Sequence, residues 1–283
     1  MIDYIDDCFD LINFPDFDFI ERIRKEFHDI DNLFCFSFPS KHILSKQKKN
    51  SEDFYINRYT NINAVHNFWC INIQDMRYDL EIPLMFLMYY YEKGIPQTDN
   101  QIEDCYSKYD WSNKDYFFDD NNPSNLEQYK KLFNTFLNFF TSSMIIFSNK
   151  IKEHFLELLF LKDKNLFKEN SSIKINSEIN LSPEILQKTL TFVENFKTFL
   201  YKSEFKELRE LRNDFIHHTS PTKNEVKANY NKDTDFIEFY FGKDLKTITE
   251  LVDLIKSSLC LLEHQCNNFK DWCDDYLFYL SNF

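Results

Sequence analysis

Apolar residues recur every three or four positions through most of this chain, the spacing that buries one face of an α-helix. The longest run begins at Pro123, where Ser124 or Asn125 can cap a helix. Its apolar positions are Leu126, Tyr129, Leu132, Phe133, Phe136, Leu137, Phe140, Met144, Phe147, Ile151, Phe155 and Leu158, which predicts a central helix. A second run follows Ser182-Pro183, where serine offers a capping oxygen and proline at the first helical position gives up no needed hydrogen bond. Leu186, Leu190, Val193, Phe196, Phe199 or Leu200, Phe205, Leu208, Leu211 and Phe215 form its stripe. They predict one helix as far as His218, roughly 50 Å long if unbroken. Thr219-Ser220-Pro221 stops it, because the residue before a proline is pushed out of the α region. A last helix is expected over residues 245–280, with Asp244 as its cap.

The N-terminal part is less regular. Residues 17–34 place Phe19, Ile20, Ile23, Phe27 and Ile30 at helical spacing, and the lysine-rich residues 41–53 read as a loop. Residues 67–91 predict a helix kinked or interrupted near Pro83, which lacks a backbone donor and clashes with the preceding turn. Gly94-Ile95-Pro96 ends it, and residues 97–122 read as a long acidic and aromatic connection with one short helix. Polar clusters mark residues 162–181 as a loop. Residues 225–230 and 235–241 read as a small β-hairpin, the second mixing Phe, Ile and Tyr as strands do. The expected fold is therefore all-α: a helical bundle with long C-terminal helices, a small β-hairpin inserted before the last helix, and an extra helical N-terminal region. The expected division is an N-terminal extension over residues 1–122 and a bundle over residues 123–283.

Composition supports that picture. The 283 residues are 43% hydrophobic, enough for a substantial core, and 32 Phe stand against two Gly and seven Pro. So few glycines disfavour all-β folds and glycine-rich βα loops. The formal charge of -13 argues against a broad surface that coats nucleic acid. About half of that excess lies in residues 1–31, whereas residues 183–232 are locally basic through Lys188, Lys197, Lys202, Lys206, Arg209, Arg212, Lys223, Lys227 and Lys232. The seven cysteines form no C-x-x-C pair, so they signal neither a zinc site nor a disulfide framework and fit reduced thiols. The first ten residues are acidic, unlike a secretory or transit signal, and residues 82–91 fall far short of a membrane span. A cytoplasmic protein with no membrane partner is expected.

Arg212-Asn213-Asp214-Phe215-Ile216-His217 carries the candidate chemistry, near the end of the second long run. Arginine presents a planar fork of donors that matches phosphate oxygens, and histidine exchanges protons near neutrality. Five residues apart on an ideal helix, Arg212 and His217 lie roughly 140° around and ~7.5 Å along from each other. One regular helix cannot easily aim both at one phosphate. Either the helix loosens near His217, or a second subunit brings its own helix end alongside. Asp119-Asp120 and Asp274-Asp275 read as solvated carboxylates rather than metal ligands, and Trp69, Trp111 and Trp272 lack the interleaved bases of a stacking platform.

The pattern R-N-x-x-x-H resembles the motif of HEPN-domain proteins, and the resemblance covers residues 123–283. It implies a metal-independent endoribonuclease without a cofactor, in a toxin, stress or phage-defence role. The 2′-hydroxyl of RNA would attack the adjacent phosphate. His217 would transfer protons, Arg212 would carry the phosphate charge, and Asn213 would orient one of them or touch the substrate. The resemblance also implies a homodimer whose two motifs share a composite cleft, and an antitoxin or regulatory protein as partner. His218 fits better as a helix-end residue beside the carbonyl end of the dipole. Where some HEPN toxins continue as H-x-Y, this chain has Thr219, so control by tyrosine modification at that point does not carry over. A second possibility is a non-catalytic HEPN-like module that binds RNA or protein.

Overall fold

The computed structural model describes residues 15–27, 53–112, 119, 121–161, 164–169, 181–217, 226–231, 236–241 and 246–281. These are mostly helical. In chain order the elements are α1 (Phe17–Glu26), α2 (Asp53–Glu92), α3 (Asp99–Lys108), α4 (Pro123–Leu158), a 3-10 turn (Lys164–Phe167), α5 (Pro183–Leu200), α6 (Ser203–His217), strands β1 (Val226–Asn231) and β2 (Phe236–Phe241), and α7 (Ile248–Ser281). The two strands pair antiparallel, Val226 opposite Phe241 and Asn231 opposite Phe236. Among the described residues no helix is long and apolar enough to cross a membrane.

Local chemistry explains where the helices start and stop. Asp16 caps α1 by accepting from the Phe19 N–H at 2.8 Å, and Ser182 caps α5 by accepting from the Ile185 N–H at 3.3 Å, with Pro183 just inside. Gly94 sits at φ 74 beyond the end of α2, a left-handed conformation that costs glycine little. The helix expected over residues 67–91 begins earlier, at Asp53, and runs through Pro83 to Glu92. Proline there forfeits one hydrogen bond, but Leu80, Leu84, Leu87 and Met88 around it are all buried. Burying such side chains contributes about 1.5–3 kcal/mol each, which outweighs that loss. The last helix starts at Ile248, not residue 245. A reciprocal box sets that start: the Glu250 carboxylate accepts from the Thr247 N–H at 2.7 Å, and the Thr247 hydroxyl accepts from the Glu250 N–H at 3.2 Å. Asp244, the cap expected from sequence, lies outside the described residues.

The fold divides into two compact units, each drawn from three stretches of chain. The first takes its described residues from Met1–His28, Glu81–Phe140 and Asn213–Asp253. Leu84, Leu87 and Tyr90 of α2, Phe133, Leu137 and Phe140 of α4, and Ile248 and Leu251 of α7 are completely buried there. Phe86 stacks on Phe136 with ring centroids 4.3 Å apart. α1 is held by ion pairs from Arg22 to Glu92 and from Arg24 to the buried Glu81. The Lys130 ammonium, almost wholly buried, meets Asp99 at 2.6 Å.

The second unit takes its described residues from Asp29–Leu80, Thr141–Arg212 and Leu254–Phe283. Its core is aromatic. Trp272 lies 4.6 Å from Phe155 and 5.2 Å from Tyr276, measured between ring centroids, and Phe192 packs against both Phe155 and Phe269. Two of the core's polar tips have buried partners, as buried indoles and phenols usually do. The Trp272 N–H donates to the Thr189 hydroxyl at 3.1 Å, and the Tyr276 hydroxyl donates to the Leu158 carbonyl at 3.2 Å.

Candidate functional site

The motif residues lie in regular α-helix, since α6 continues to His217 without loosening. Arg212 is half-buried and Asn213, next to it, is exposed. His217 closes the helix, and its side chain lies outside the described residues, as do His218 and Thr219. The backbone therefore sets Arg212 and His217 roughly 140° apart around α6. Of the two ways to bring them together, loosening of the helix end is not what the chain does.

The single helix expected from Ser182-Pro183 to His218 is in fact two. α5 stops at Leu200, Tyr201 and Lys202 form the elbow, and α6 starts at Ser203. A buried stripe advances by three or four residues, whereas Leu200 to Phe205 is a step of five. A straight helix would turn Phe205 away from its stripe; the break re-phases it, and Phe199 meets Phe205 with centroids 4.4 Å apart. Helix ends leave carbonyls without partners. Here Arg209, from the following helix, donates from Nη2 to the Leu200 carbonyl at 2.6 Å. Its guanidinium also lies over the rings of Tyr201 and Phe205, at 5.6 and 5.7 Å.

Beside this elbow is a cleft of about 160 Å³. Ile145, Ser148, Asn149 and Lys152 reach it from one stripe of α4, at the i, i+3, i+4, i+7 spacing of a single helix face. Lys168 and Arg209 add two more cations, and among the described residues no carboxylate lines the space. Burial lowers the pKa of the Lys152 ammonium, and the positive charge of Arg209 lowers it further against the opposing pull of Glu153. Sequence reasoning counted Arg209 only as one base among many and missed Lys152. The available signal was the five-residue step at Leu200, which marks the elbow, together with the polar stripe on the otherwise aromatic α4.

A second polar cluster is buried in the same unit. His66 Nδ1 and His154 Nε2 are 3.2 Å apart, and Trp69 stacks on His154 with centroids 4.5 Å apart. Burial pushes His66 down to about 4; burial and then the neighbouring His66 push His154 down to about 2. Both rings are therefore neutral at physiological pH, one donating and one accepting. The pair is a buried core contact, with the Glu157 carboxylate 3.7 Å from His154 Nδ1, and among the described residues no group of three or more His, Cys, Asp or Glu is placed to hold a metal ion. Cys266 and Cys273 of α7 are both buried thiols. Trp69 and Trp272 are core residues as well, while Trp111 is half-exposed beside Tyr106 and Tyr109. Compared with models of known families, with curated proteins and with solved structures, the chain matches none.

Proposed function

We propose that the chain is a metal-independent endoribonuclease of the HEPN type. The observation that carries this reading is the run Arg212-Asn213-x-x-x-His217 at the C-terminal end of α6. Cleavage by 2′-hydroxyl attack needs a base for the hydroxyl, an acid for the leaving 5′-oxygen, and positive charge for the phosphorane. His217 moves the protons, Arg212 neutralises the phosphate oxygens, and exposed Asn213 contacts substrate or orients its neighbours. A regular helix keeps Arg212 and His217 apart, so the reading includes a homodimer in which two α6 ends complete one cleft. A toxin or defence nuclease of this kind would be restrained by an antitoxin or regulatory protein. The test is cleavage of a single-stranded RNA in EDTA, wild type beside His217→Ala. A loss of at least about a hundredfold is expected for a proton-transfer residue, and equal rates would sink the assignment.

The charge of -13 favours one other reading, a non-catalytic HEPN-like module that binds RNA or protein, because a nuclease acting on bulk RNA gains from a positive field. RNA binding that survives Arg212→Ala, with no cleavage of any RNA tried, would select it.

A further inference from the structure

The cleft at the α5–α6 elbow holds two cations, Lys152 and Arg209, that no carboxylate among the described residues pairs with. Lys152 makes no ion pair among the described residues: Glu153, its neighbour in sequence, is engaged by Lys150 at 2.8 Å. A partly desolvated ammonium normally sits beside a counter-charge. The largest charge acting on Lys152 is instead a second cation, Arg209. Arg209 cannot swing away, since the Leu200 carbonyl and two aromatic rings fix its guanidinium. That contact uses one N–H of the fork and leaves the others able to donate. Tyr201 is similarly prepared: its oxygen accepts from the Glu169 N–H at 3.0 Å, so its own O–H is available as a donor. Lys168, exposed at the rim, adds a third positive charge.

We infer that this cleft binds a phosphate group, with Lys152 and Arg209 as its charge partners and Tyr201 and Asn149 as neutral donors. A carboxylate presents its two oxygens in one plane, whereas the non-bridging oxygens of a phosphate, monoester or diester, spread tetrahedrally toward donors on different elements, and a monoester adds up to a second charge near neutral pH. A planar fork beside a point charge suits a tetrahedral oxyanion. At about 160 Å³ the cleft is smaller than the ~300 Å³ at which pockets for whole ligands begin. It therefore takes the phosphate and leaves the rest of the molecule outside. The site stands on this geometry alone and does not depend on the Arg212 motif. Two carriers share the chemistry, a free nucleotide through its terminal phosphate and an RNA strand through a backbone phosphodiester.

The experiment is thermal unfolding of the full chain at fixed ionic strength, replacing chloride with inorganic phosphate, with adenosine monophosphate, or with a 2′-O-methyl RNA hexamer that has a 5′-hydroxyl. The wild type should show a saturable rise in Tm, and Lys152→Met should weaken the apparent affinity at least tenfold. In chloride alone Lys152→Met should melt at the same temperature or higher, because it removes a desolvated charge that faces another cation. A response to the monophosphate but not the hexamer identifies a terminal phosphate, and a response to the hexamer identifies a strand. Identical responses of wild type and Lys152→Met, or no saturable shift with any of the three anions, would overturn the proposal. Should Lys152→Met fail to fold, Lys168→Gln at the exposed rim provides the second variant. It should weaken phosphate binding several-fold without lowering Tm in chloride, and an unchanged affinity overturns the proposal equally.

Discussion

Acidification should unfold the second unit through His66 and His154 well before its carboxylates are fully protonated. An unfolded histidine titrates near 6.5, whereas burial holds His66 at about 4 in the folded chain. Because the folded value is depressed, the unfolded chain binds the extra proton first. Stability from this source is complete above about pH 6.5 and is lost as the pH falls toward 4. A separation of about 2.5 at about 1.4 kcal/mol each removes about 3 kcal/mol across that window, a large share of the 5–15 kcal/mol typical of a folded domain. That is the share of His66 alone, a lower bound, because the unfolded chain also protonates His154 near 6.5. The first proton leaves the contact at 3.2 Å intact, a charged ring donating to a neutral one, and its cost is desolvation. A second proton would set two donors against each other; burial, and then this neighbouring ring, hold His154 lower still.

The comparison variant is His66→Phe with His154→Phe. Replacing both partners by apolar rings removes both sides of the contact at 3.2 Å, so its stability at pH 7.5 should stay within about 1.5 kcal/mol of wild type. Urea unfolding at pH 7.5, 6.5, 5.5 and 4.5, followed by tryptophan fluorescence, measures the slope; Trp69 reports locally because it stacks on His154. From His66 alone the wild type should lose about 2 kcal/mol more than the double variant between pH 6.5 and 4.5, and His154 adds to that loss. Parallel curves for the two proteins would refute the reasoning.

Thr189→Val should cost about 1–3 kcal/mol in urea unfolding, since it strands the buried Trp272 N–H that now donates to the threonine hydroxyl at 3.1 Å. A cost below 0.5 kcal/mol would mean that the indole finds another acceptor. Asp99→Ala should destabilise the first unit by about 2 kcal/mol, below the usual range for breaking a buried pair because Asp99 itself is partly exposed. The double variant Asp99→Ala with Lys130→Met should recover most of that loss, as the same unfolding measurement would show.

How legible each element was depends on whether its cause is local. The stripe of α4, the Ser182-Pro183 start of α5 and the stop at Gly94 each follow from residues within a turn or two of one another. The passage of α2 through Pro83 does not, because burial of Leu80, Leu84, Leu87 and Met88 by residues distant in sequence holds the helix together. The elbow was visible only as an ambiguity between Phe199 and Leu200 in the stripe. Its resolution depends on Arg209 reaching back to the Leu200 carbonyl. The contact between His66 and His154 spans 88 positions and leaves no mark on either local pattern. Lys152 presents the same difficulty at the cleft: a lysine on a helix reads as solvated until the packing that desolvates it is known.

The elbow also decides which way the motif helix faces. Arg209 and Arg212 are three residues apart, so α6 holds them roughly 60° and ~4.5 Å from each other. The rotation of α6 about its axis is set where Arg209 engages Leu200 and where Phe205 meets Phe199. Arg209 therefore has a structural duty that Arg212 does not share in the same way. Loss of RNA cleavage in Arg209→Ala would not separate a disturbed helix from a lost phosphate contact. Lys152 makes no such tie to the elbow, and His217 lies two turns farther along α6. On the proposed reading, substitutions at Lys152 and His217 separate anchoring of a phosphate from proton transfer. A Lys152 variant should mainly raise KM for RNA if the strand is what the cleft holds, whereas a His217 variant should mainly lower kcat.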